Sequence, residues 1–161
     1  MSEETIDKIQ HTIQQLRARH NNVHGSQEQK WIQKHVADEK LADIVLDLSI
    51  VAFHILSALE TGEKTGIELA SLLQVTRGGI TRAAKKLVHY QLVDASKHVN
   101  DQKKIYYSLT EQGQKLAQVH DQMHRSIKKK LVKSLTAKYS SAELETVAAF
   151  LQDLYQLESK L

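Results

Sequence analysis

The sequence predicts a mostly α-helical fold with one small β-hairpin, and three observations lead to this prediction. The 161 residues include no proline, so no proline forbids long uninterrupted helices. Capping boxes, in which a hydroxyl side chain precedes a glutamate by three positions, mark helix starts at Thr65 and Ser140. Only two short runs, residues 92–97 and 105–109, are of β type, and the polar residues 99–102 between them indicate a hairpin.

The N-terminal part of the chain is predicted to be helical, with a break at its single glycine-containing segment. Apolar residues at a spacing close to 3.6 predict an amphipathic helix over 5–23. The polar stretch 24–40 is expected to hold a loop around its glycine and a short helix. Residues 41–59 are mostly apolar, and Ser49 is placed to cap a helix from Ile50. This helix is apolar on nearly all sides, so we expect it to be central and buried.

The middle of the chain predicts two short helices followed at once by the hairpin. Thr65 caps a helix over 66–73, and Thr76 caps a second helix that runs to about residue 90. Two such helices with an adjoining basic hairpin define a winged helix-turn-helix, in which the second helix enters the major groove of DNA. The sequence therefore predicts a sequence-specific DNA-binding transcriptional regulator that acts as a repressor and contacts a double-stranded operator.

The C-terminal part predicts a long helix from Thr110 to about residue 135 and a final helix that ends near residue 160. The final helix carries a broad apolar stripe with nothing evident to cover it in so small a domain. We expect a single domain over 1–161, with a winged core at about 45–110 and helices 1–40 and 111–161 forming a homodimer interface. The alternative is that the stripe packs within one chain.

Composition excludes several other classes of protein. The chain has no cysteine, which excludes disulfides and thiolate metal sites. Its polar start lacks the apolar segment of a secretory signal, and no apolar stretch is long enough to span a bilayer, so a cytoplasmic location and no membrane contact are expected. No His-Glu-x-x-His motif or nucleophile constellation is present, so the chain is not expected to be an enzyme.

The second helix of the predicted motif carries most of the proposed DNA contacts. Its inward stripe leaves Arg77, Thr81, Arg82 and Lys85 pointing outward. The two arginines are the candidates for reading bases, since a guanidinium pairs bidentately with guanine. Thr81 and Lys85, together with Lys86, are expected to hold phosphates.

The glycine pair at the start of this helix and the hairpin complete the predicted DNA surface. Gly78 and its neighbour cost helix propensity, which either close approach to DNA or tight packing on the preceding helix would explain. The hairpin adds charge near the minor groove through Lys97, His98, Lys103 and Lys104. The alternative is a solvated basic face on a helical interaction module that does not bind DNA.

Three segments resemble the MarR family of winged helix-turn-helix regulators: the run from Ile67 to Val75, then Ile80-Thr-Arg82, then Tyr106-Tyr-Ser-Leu-Thr-Glu-Gln-Gly113. The resemblance covers residues 45–120 well and the outer helices only by pattern. Two positions depart from it. Lys103 stands where the family usually has a wing-tip arginine, and Gln91 stands where a glycine commonly ends the recognition helix, which implies a positive φ at a non-glycine residue.

Within that family the chain is most similar to the zinc-responsive AdcR/ZitR type, and the similarity rests on histidines. His54-Ile-Leu matches the central helix, and His120 and His124, spaced i, i+4, project from one face of the long helix. The resemblance implies that these three histidines bind zinc as a corepressor of zinc-uptake genes. Two alternatives are that the histidines are structural, and that the effector is a small organic ligand.

The resemblance also implies a fourth ligand from the first helix. That position falls near Asn22, a poor zinc ligand, so His20, His24 or Glu28 could substitute, and His24 is the one we select. A second metal site of the family is expected to be missing, because Phe53 and Val119 replace its acidic residues and its cysteine has no counterpart. Zinc would then tie the first and central helices to the long helix.

Overall fold

Eight helices and three short strands form the part of the chain that this computed structural model describes, residues 3–22 and 24–158, without the side chains of 18–26. In chain order they are α1 (Glu3–Asn22), α2 (His24–His35), α3 (Glu39–Val45), α4 (Ile50–Leu59), β1 (Lys64–Thr65), α5 (Gly66–Leu73), α6 (Arg77–His89), β2 (Val93–His98), β3 (Asp101–Leu109), α7 (Glu111–Thr136) and α8 (Ser141–Glu158). They belong to two compact units, Met1–Met123 and His124–Leu161. The predicted division into a winged core and dimerisation helices stays a prediction.

Helix α4 lies at the centre of the first unit, as the sequence predicts. Ser49 is its N-cap, and the hydroxyl accepts a hydrogen bond from the backbone N–H of Ala52. Phe53, Ile55 and Leu56 are fully buried. Burial of each such side chain contributes roughly 1.5–3 kcal/mol, so this helix supplies a large part of the core.

The helix-turn-helix forms from the local signals that predict it. Thr65 and Glu68 make both hydrogen bonds of a capping box at the start of α5. Hydrogen bonds from the backbone N–H and hydroxyl of Thr65 hold the pKa of Glu68 below its ordinary value. Thr76 caps α6 by accepting from the N–H of Gly79. The apolar stripe of α6 faces the core, with Ile80 and Leu87 buried.

The hairpin belongs to a three-stranded antiparallel sheet with strand order β1-β3-β2. Strand β2 pairs with β3 from Val93 opposite Leu109 outwards, with an irregularity after Ser96. Strand β1 pairs with β3 through Lys64 and Thr65. The sequence does not predict β1, because two residues are too few to show an alternating pattern.

One expectation about the N-terminal part is wrong. The loop predicted around Gly25 is part of α2, which continues to His35. Glycine in a helix costs about 1 kcal/mol relative to alanine. Burial of Ile32 in the core outweighs this cost. After α2 the chain leaves the helical path at residues 36–38, and the carboxylate of Asp38 caps the next helix, α3.

The run Leu109-Thr-Glu-Gln-Gly113, which ends the third segment that resembles the MarR family, forms the junction of the hairpin with α7. The hydroxyl of Thr110 donates to the carbonyl of Gln91 and accepts from the N–H of Gly113. A Cβ at Gly113 would lie 1.9 Å from the carbonyl oxygen of Leu92, so only glycine fits. Gln91 has a φ of 55°, which confirms the positive φ predicted from the missing glycine.

The second unit contains the remainder of α7 and the whole of α8. Among its described residues α8 buries none. Its large exposed apolar side chains are Ile127, Leu131, Val132, Leu135, Tyr139, Val147, Leu151, Tyr155 and Leu157. In the ranges that the structure describes, no helix has both the length and the apolar character required to cross a membrane.

We expect Gln91→Gly to stabilise the protein. A left-handed backbone costs an L-residue about 1–2 kcal/mol, and glycine avoids this cost. Glycine also loses more conformational entropy on folding, which cancels roughly half of the gain. The midpoint of urea unfolding at fixed protein concentration should rise accordingly. Gln118→Gly, on the exposed face of α7, is the matched control and should lower the midpoint. A lower midpoint for Gln91→Gly would contradict this account of the junction.

Candidate nucleic-acid interface and metal centre

The outward face of α6 carries the side chains that the sequence assigns to DNA. Arg77, Thr81, Arg82 and Lys85 are all exposed, whereas the opposite face of the helix is buried. The hydroxyl of Thr81 donates to the carbonyl of Arg77 at 2.9 Å. Because α6 is fixed by its buried face, the two arginines and Lys85 extend from a rigid support.

A groove of about 240 Å³ brings the start of α6 together with the hairpin. Arg77 and Thr81 line it from the helix, and Lys103 and Lys104 line it from β3. Lys104 pairs with Asp101 at 3.1 Å, which raises the pKa of Lys104 and lowers the pKa of Asp101. The helix and the hairpin therefore present positive charge to one shared surface.

The other two hairpin residues have different surroundings. Lys97 is exposed on β2. The ring of His98 stacks on Tyr106, with centroids 3.7 Å apart, and its Nε2 lies 3.0 Å from a carboxylate oxygen of Glu63. His98 thus connects the hairpin to the turn before β1, in addition to any role at the DNA surface.

Lys86, which the sequence assigns to a phosphate, is engaged within the protein. Its Nζ lies 2.6 Å from Oδ1 of Asp47 and donates also to the backbone carbonyl of that residue. The hydroxyl of Tyr90 donates to the second carboxylate oxygen. Hydrogen bonds from Lys86 and Tyr90 hold the pKa of Asp47 below its ordinary value of 3.8. These contacts fix the end of α6 to the segment between α3 and α4.

The two glycines of α6 differ in what surrounds them. A Cβ at Gly79 would lie 2.9 Å from Cγ1 of Val75 and 3.3 Å from the hydroxyl of Thr76, so the turn before the helix crowds this position. A Cβ at Gly78 would meet nothing within 4 Å. Packing within the chain therefore accounts for Gly79 and leaves Gly78 unexplained.

Four potential metal ligands lie together around α4. His54 extends from α4, Glu28 from α2 and His120 from α7, and His124 follows His120 by one turn of the same helix. One ligand atom from each of the four residues lies within 4.8 Å of all the others. The structure thus brings together the three histidines that the resemblance singles out.

The residues of this cluster suit a divalent metal ion. Oxygen Oε2 of Glu28 is buried and has no hydrogen-bond partner within the described part of the chain. A buried polar atom without a partner costs about 1–3 kcal/mol, a cost that a bound cation removes. Imidazoles with one carboxylate form a ligand set typical of zinc. The donor set and the unpaired carboxylate oxygen therefore both fit zinc.

His120 is held by a short chain of hydrogen bonds that runs from its Nδ1 through Ser57 to Asp121, here named the His120 relay. Its side chain is only 2% exposed, and Nδ1 lies 2.8 Å from the hydroxyl oxygen of Ser57. That hydroxyl donates to Oδ1 of Asp121 at 2.7 Å. Burial alone raises the pKa of Asp121, but hydrogen bonds with Ser57 and Glu60 and the adjacent His120 together keep the pKa below its ordinary value. Sequence reasoning did not single out Ser57 or Asp121.

The choice of His24 as the fourth ligand falls outside the description, since the side chains of His20 and His24 are among those not described. Glu28, an alternative in the sequence analysis, is the residue found beside the histidines. The i, i+4 spacing of a helix could have selected Glu28 from the sequence. Glu28 precedes the fully buried Ile32 by one turn, and residues four apart share a helix face.

In winged helix-turn-helix proteins, the DNA-binding surface is a helix with one face buried in the core and the other exposed beside a hairpin. Helix α6, with its exposed arginines, and the basic hairpin have this arrangement. Comparison with known proteins agrees: residues 52–135 match the HxlR-like helix-turn-helix family model. The chain belongs to the HxlR-like helix-turn-helix family and is a transcriptional regulator, not an enzyme.

The known relatives of the chain are bacterial transcriptional regulators. The HTH-type transcriptional regulator YvnA of Bacillus subtilis is 31% identical, over 65% of this chain and 66% of its own length. The transcriptional regulator ZitR of Lactococcus lactis is 29% identical, over 63% and 69%. The chain thus spans about two thirds of each relative.

A solved structure extends the agreement in fold to nearly the whole chain. The crystal structure of Lactococcus lactis ZitR, a zinc-responsive MarR family member, matches with a TM-score of 0.69 at 23% identity. The match covers 95% of this chain and 96% of that one. The expected mostly helical, MarR-like winged helix fold is confirmed.

The Asp47 contacts predict a pH-dependent contribution to stability. The pKa of Asp47 is lower in the folded chain than in the unfolded chain. Its contribution is therefore present above the ordinary value of 3.8 and is lost as the pH falls through the folded-state pKa. Asp47→Asn should lower the unfolding midpoint near neutral pH, and its difference from the native chain should shrink in acid.

Asp153→Asn, at an exposed position on α8, is the matched control for loss of one negative charge. Its unfolding midpoint should follow that of the native chain at each pH. A difference for Asp47→Asn that stayed constant down to strongly acidic pH would show that the carboxylate contributes through shape alone.

Proposed function

We propose that the protein is a homodimeric repressor that binds operator DNA more tightly when zinc occupies the cluster of Glu28, His54, His120 and His124. Zinc then acts as a corepressor of zinc-uptake genes. The observation that carries the proposal is the convergence of these four side chains with a buried, unpartnered carboxylate oxygen on Glu28. The printed description of ZitR as zinc-responsive supports the same choice of metal.

A chain of contacts offers a physical route from the metal to the recognition helix α6. Gln29, next to the proposed ligand Glu28, donates from its side-chain amide to the carbonyls of Leu46 and Leu48. Between these carbonyls lies Asp47, which holds Lys86 on α6. A metal that fixes α2 therefore favours one position of α6. Zinc shifts the DNA affinity to the extent that it binds this arrangement better than others.

The proposed DNA contacts divide into base readers and phosphate contacts. Arg77 and Arg82 read bases, and Thr81 and Lys85 hold phosphates, together with Lys97, Lys103 and Lys104 of the hairpin. The open space around Gly78 supports close approach of the helix backbone to DNA. Lys86 acts indirectly, because its pairing with Asp47 orients α6.

The exposed apolar side chains of the second unit support a homodimer. Leu131 and Leu151 are about half exposed, and Tyr155 is 70% exposed. Extended exposed apolar surface of this kind marks an interface in soluble proteins. A second copy of the chain is the proposed partner, because two recognition helices read two half-sites of an operator.

Metal-dependent DNA binding is the first test of this proposal. Protein purified without a metal-affinity column should bind one zinc ion per chain, measured by elemental analysis. Fluorescence anisotropy on a selected operator should show zinc strengthening DNA binding by about 5- to 150-fold. His120→Gln should lose both the zinc and its effect on DNA affinity.

His11→Gln, an exposed histidine on α1, is the matched control and should behave like the native chain. DNA binding that is insensitive to a chelator, in protein that holds no stoichiometric metal, would rule out zinc as the effector. It would favour a small organic ligand in its place.

Alanine at the recognition arginines separates DNA binding from a helical interaction module. Arg82→Ala should cost about 1–3 kcal/mol in operator affinity and relax specificity at one base position. Lys85→Ala should weaken binding evenly across sequences and reduce the salt dependence. Arg125→Ala, an exposed arginine on α7, is the control. Unchanged operator affinity for both Arg77→Ala and Arg82→Ala would refute the interface.

A further inference from the structure

The hydrogen bonds of the His120 relay determine which ring nitrogen of His120 carries the proton. A serine hydroxyl has a single hydrogen, and that of Ser57 is directed at Oδ1 of Asp121, 2.7 Å away. The hydroxyl oxygen of Ser57 can therefore only accept from the ring. Nitrogen Nδ1 of His120, 2.8 Å from that oxygen, must be the donor. Nitrogen Nε2 then has the lone pair.

We infer that Ser57 and Asp121 are positioning residues that hold His120 in the Nδ1–H tautomer and present Nε2 to the metal. This inference rests on the proposed zinc function and deepens it. Neither residue belongs to the ligand cluster. They act through His120, by fixing the protonation and the direction of its ring.

The surroundings of the relay restrict its movement. The side-chain amide of Gln114 on α7 donates to a carboxylate oxygen of Glu60, the C-cap of α4, at 2.8 Å. The ring of Phe53 stacks against His120 with centroids 5.8 Å apart and planes 14° from parallel. Hydrogen bonds from Ser57 and from the C-cap Glu60 thus join this end of α4 to α7. The imidazole of His120 is bounded by the ring of Phe53 as well as by the hydroxyl of Ser57.

The relay has a direct consequence for metal affinity. An outer hydrogen bond to a ligating histidine fixes its tautomer and raises its basicity, and loss of such a partner typically costs 10- to 100-fold in affinity. Asp121 lies 3.5 Å from Nδ1 as well, so it can replace Ser57 in part. Removal of both residues is therefore the decisive change.

The tautomer is read first, in zinc-free protein, from the imidazole nitrogen shifts of His120 in long-range nitrogen–proton NMR spectra. The native chain should show the Nδ1–H form. The double variant Ser57→Ala with Asp121→Ala should lose that preference, and Ser57→Thr, which keeps the hydroxyl, should retain it. An Nε2–H form in the native chain would overturn the inference whatever the result with zinc.

Zinc affinity is then measured by competition with a chromophoric chelator. The double variant should bind zinc about 10- to 100-fold more weakly than the native chain, and Ser57→Thr should stay close to the native value. Ser134→Ala with Asp153→Ala, at exposed positions, is the matched control. If the double variant fails to fold, Ser57→Ala alone removes the acceptor of Nδ1 and should weaken zinc binding relative to Ser57→Thr, because Asp121 replaces it only in part.

The outcomes separate the two proposals. A double variant that binds zinc as tightly as the native chain overturns the relay and leaves the zinc proposal standing. A native chain that binds no zinc overturns the zinc proposal, and with it the claim that the relay sets metal affinity. An affinity loss in the double variant together with a changed tautomer supports both.

Discussion

The buried contact between α4 and α7 is the interaction on which the proposed regulation depends. His120 is almost wholly enclosed, and a polar ring in such a place is costly unless its nitrogens are satisfied. Ser57 satisfies Nδ1 from α4, one turn beyond His54. The two helices are therefore joined by a polar contact of defined direction inside an apolar core. A hydrogen bond to a single hydroxyl adds a directional constraint, which the non-directional hydrophobic effect does not supply.

The position of α4 makes that contact consequential for DNA. Ser49 starts α4 immediately after the segment that contains Asp47, and Asp47 holds Lys86 and Tyr90 at the end of α6. The recognition helix is thus fixed at its far end by polar contacts and along its length by buried Ile80 and Leu87. The start of α6, where base contacts concentrate, is held by the N-cap Thr76 and by buried Ile80, adjoins the hairpin and is joined rigidly to the far end. A small change at the fixed end would move the start of the helix.

Local signals were enough to predict most of the fold. The capping box at Thr65 and the N-cap at Ser49 each act within a few residues, so the sequence shows them directly, whereas the positive φ at Gln91 followed from the resemblance to the MarR family. What the sequence could not show depends on distant partners. Helix α2 forms through Gly25 because burial of Ile32 compensates, and Lys86 turns to Asp47, 39 residues away. The His120 relay likewise joins residues 63 and 64 positions apart.

In the proposed zinc site, Glu28 would give the metal a specific energetic role. Three of the four proposed ligands are histidines on α4 and α7, which are already joined through the core. Glu28 comes from α2, and its buried Oε2 has no partner among the described residues. A cation bound there would therefore remove an energetic cost that lies on α2. Because a ligand shifts an equilibrium only by binding its states unequally, α2 is the element whose position zinc would fix. Gln29 would then transmit that position to the segment that carries Asp47, because its side-chain amide donates to the carbonyls on either side of that residue.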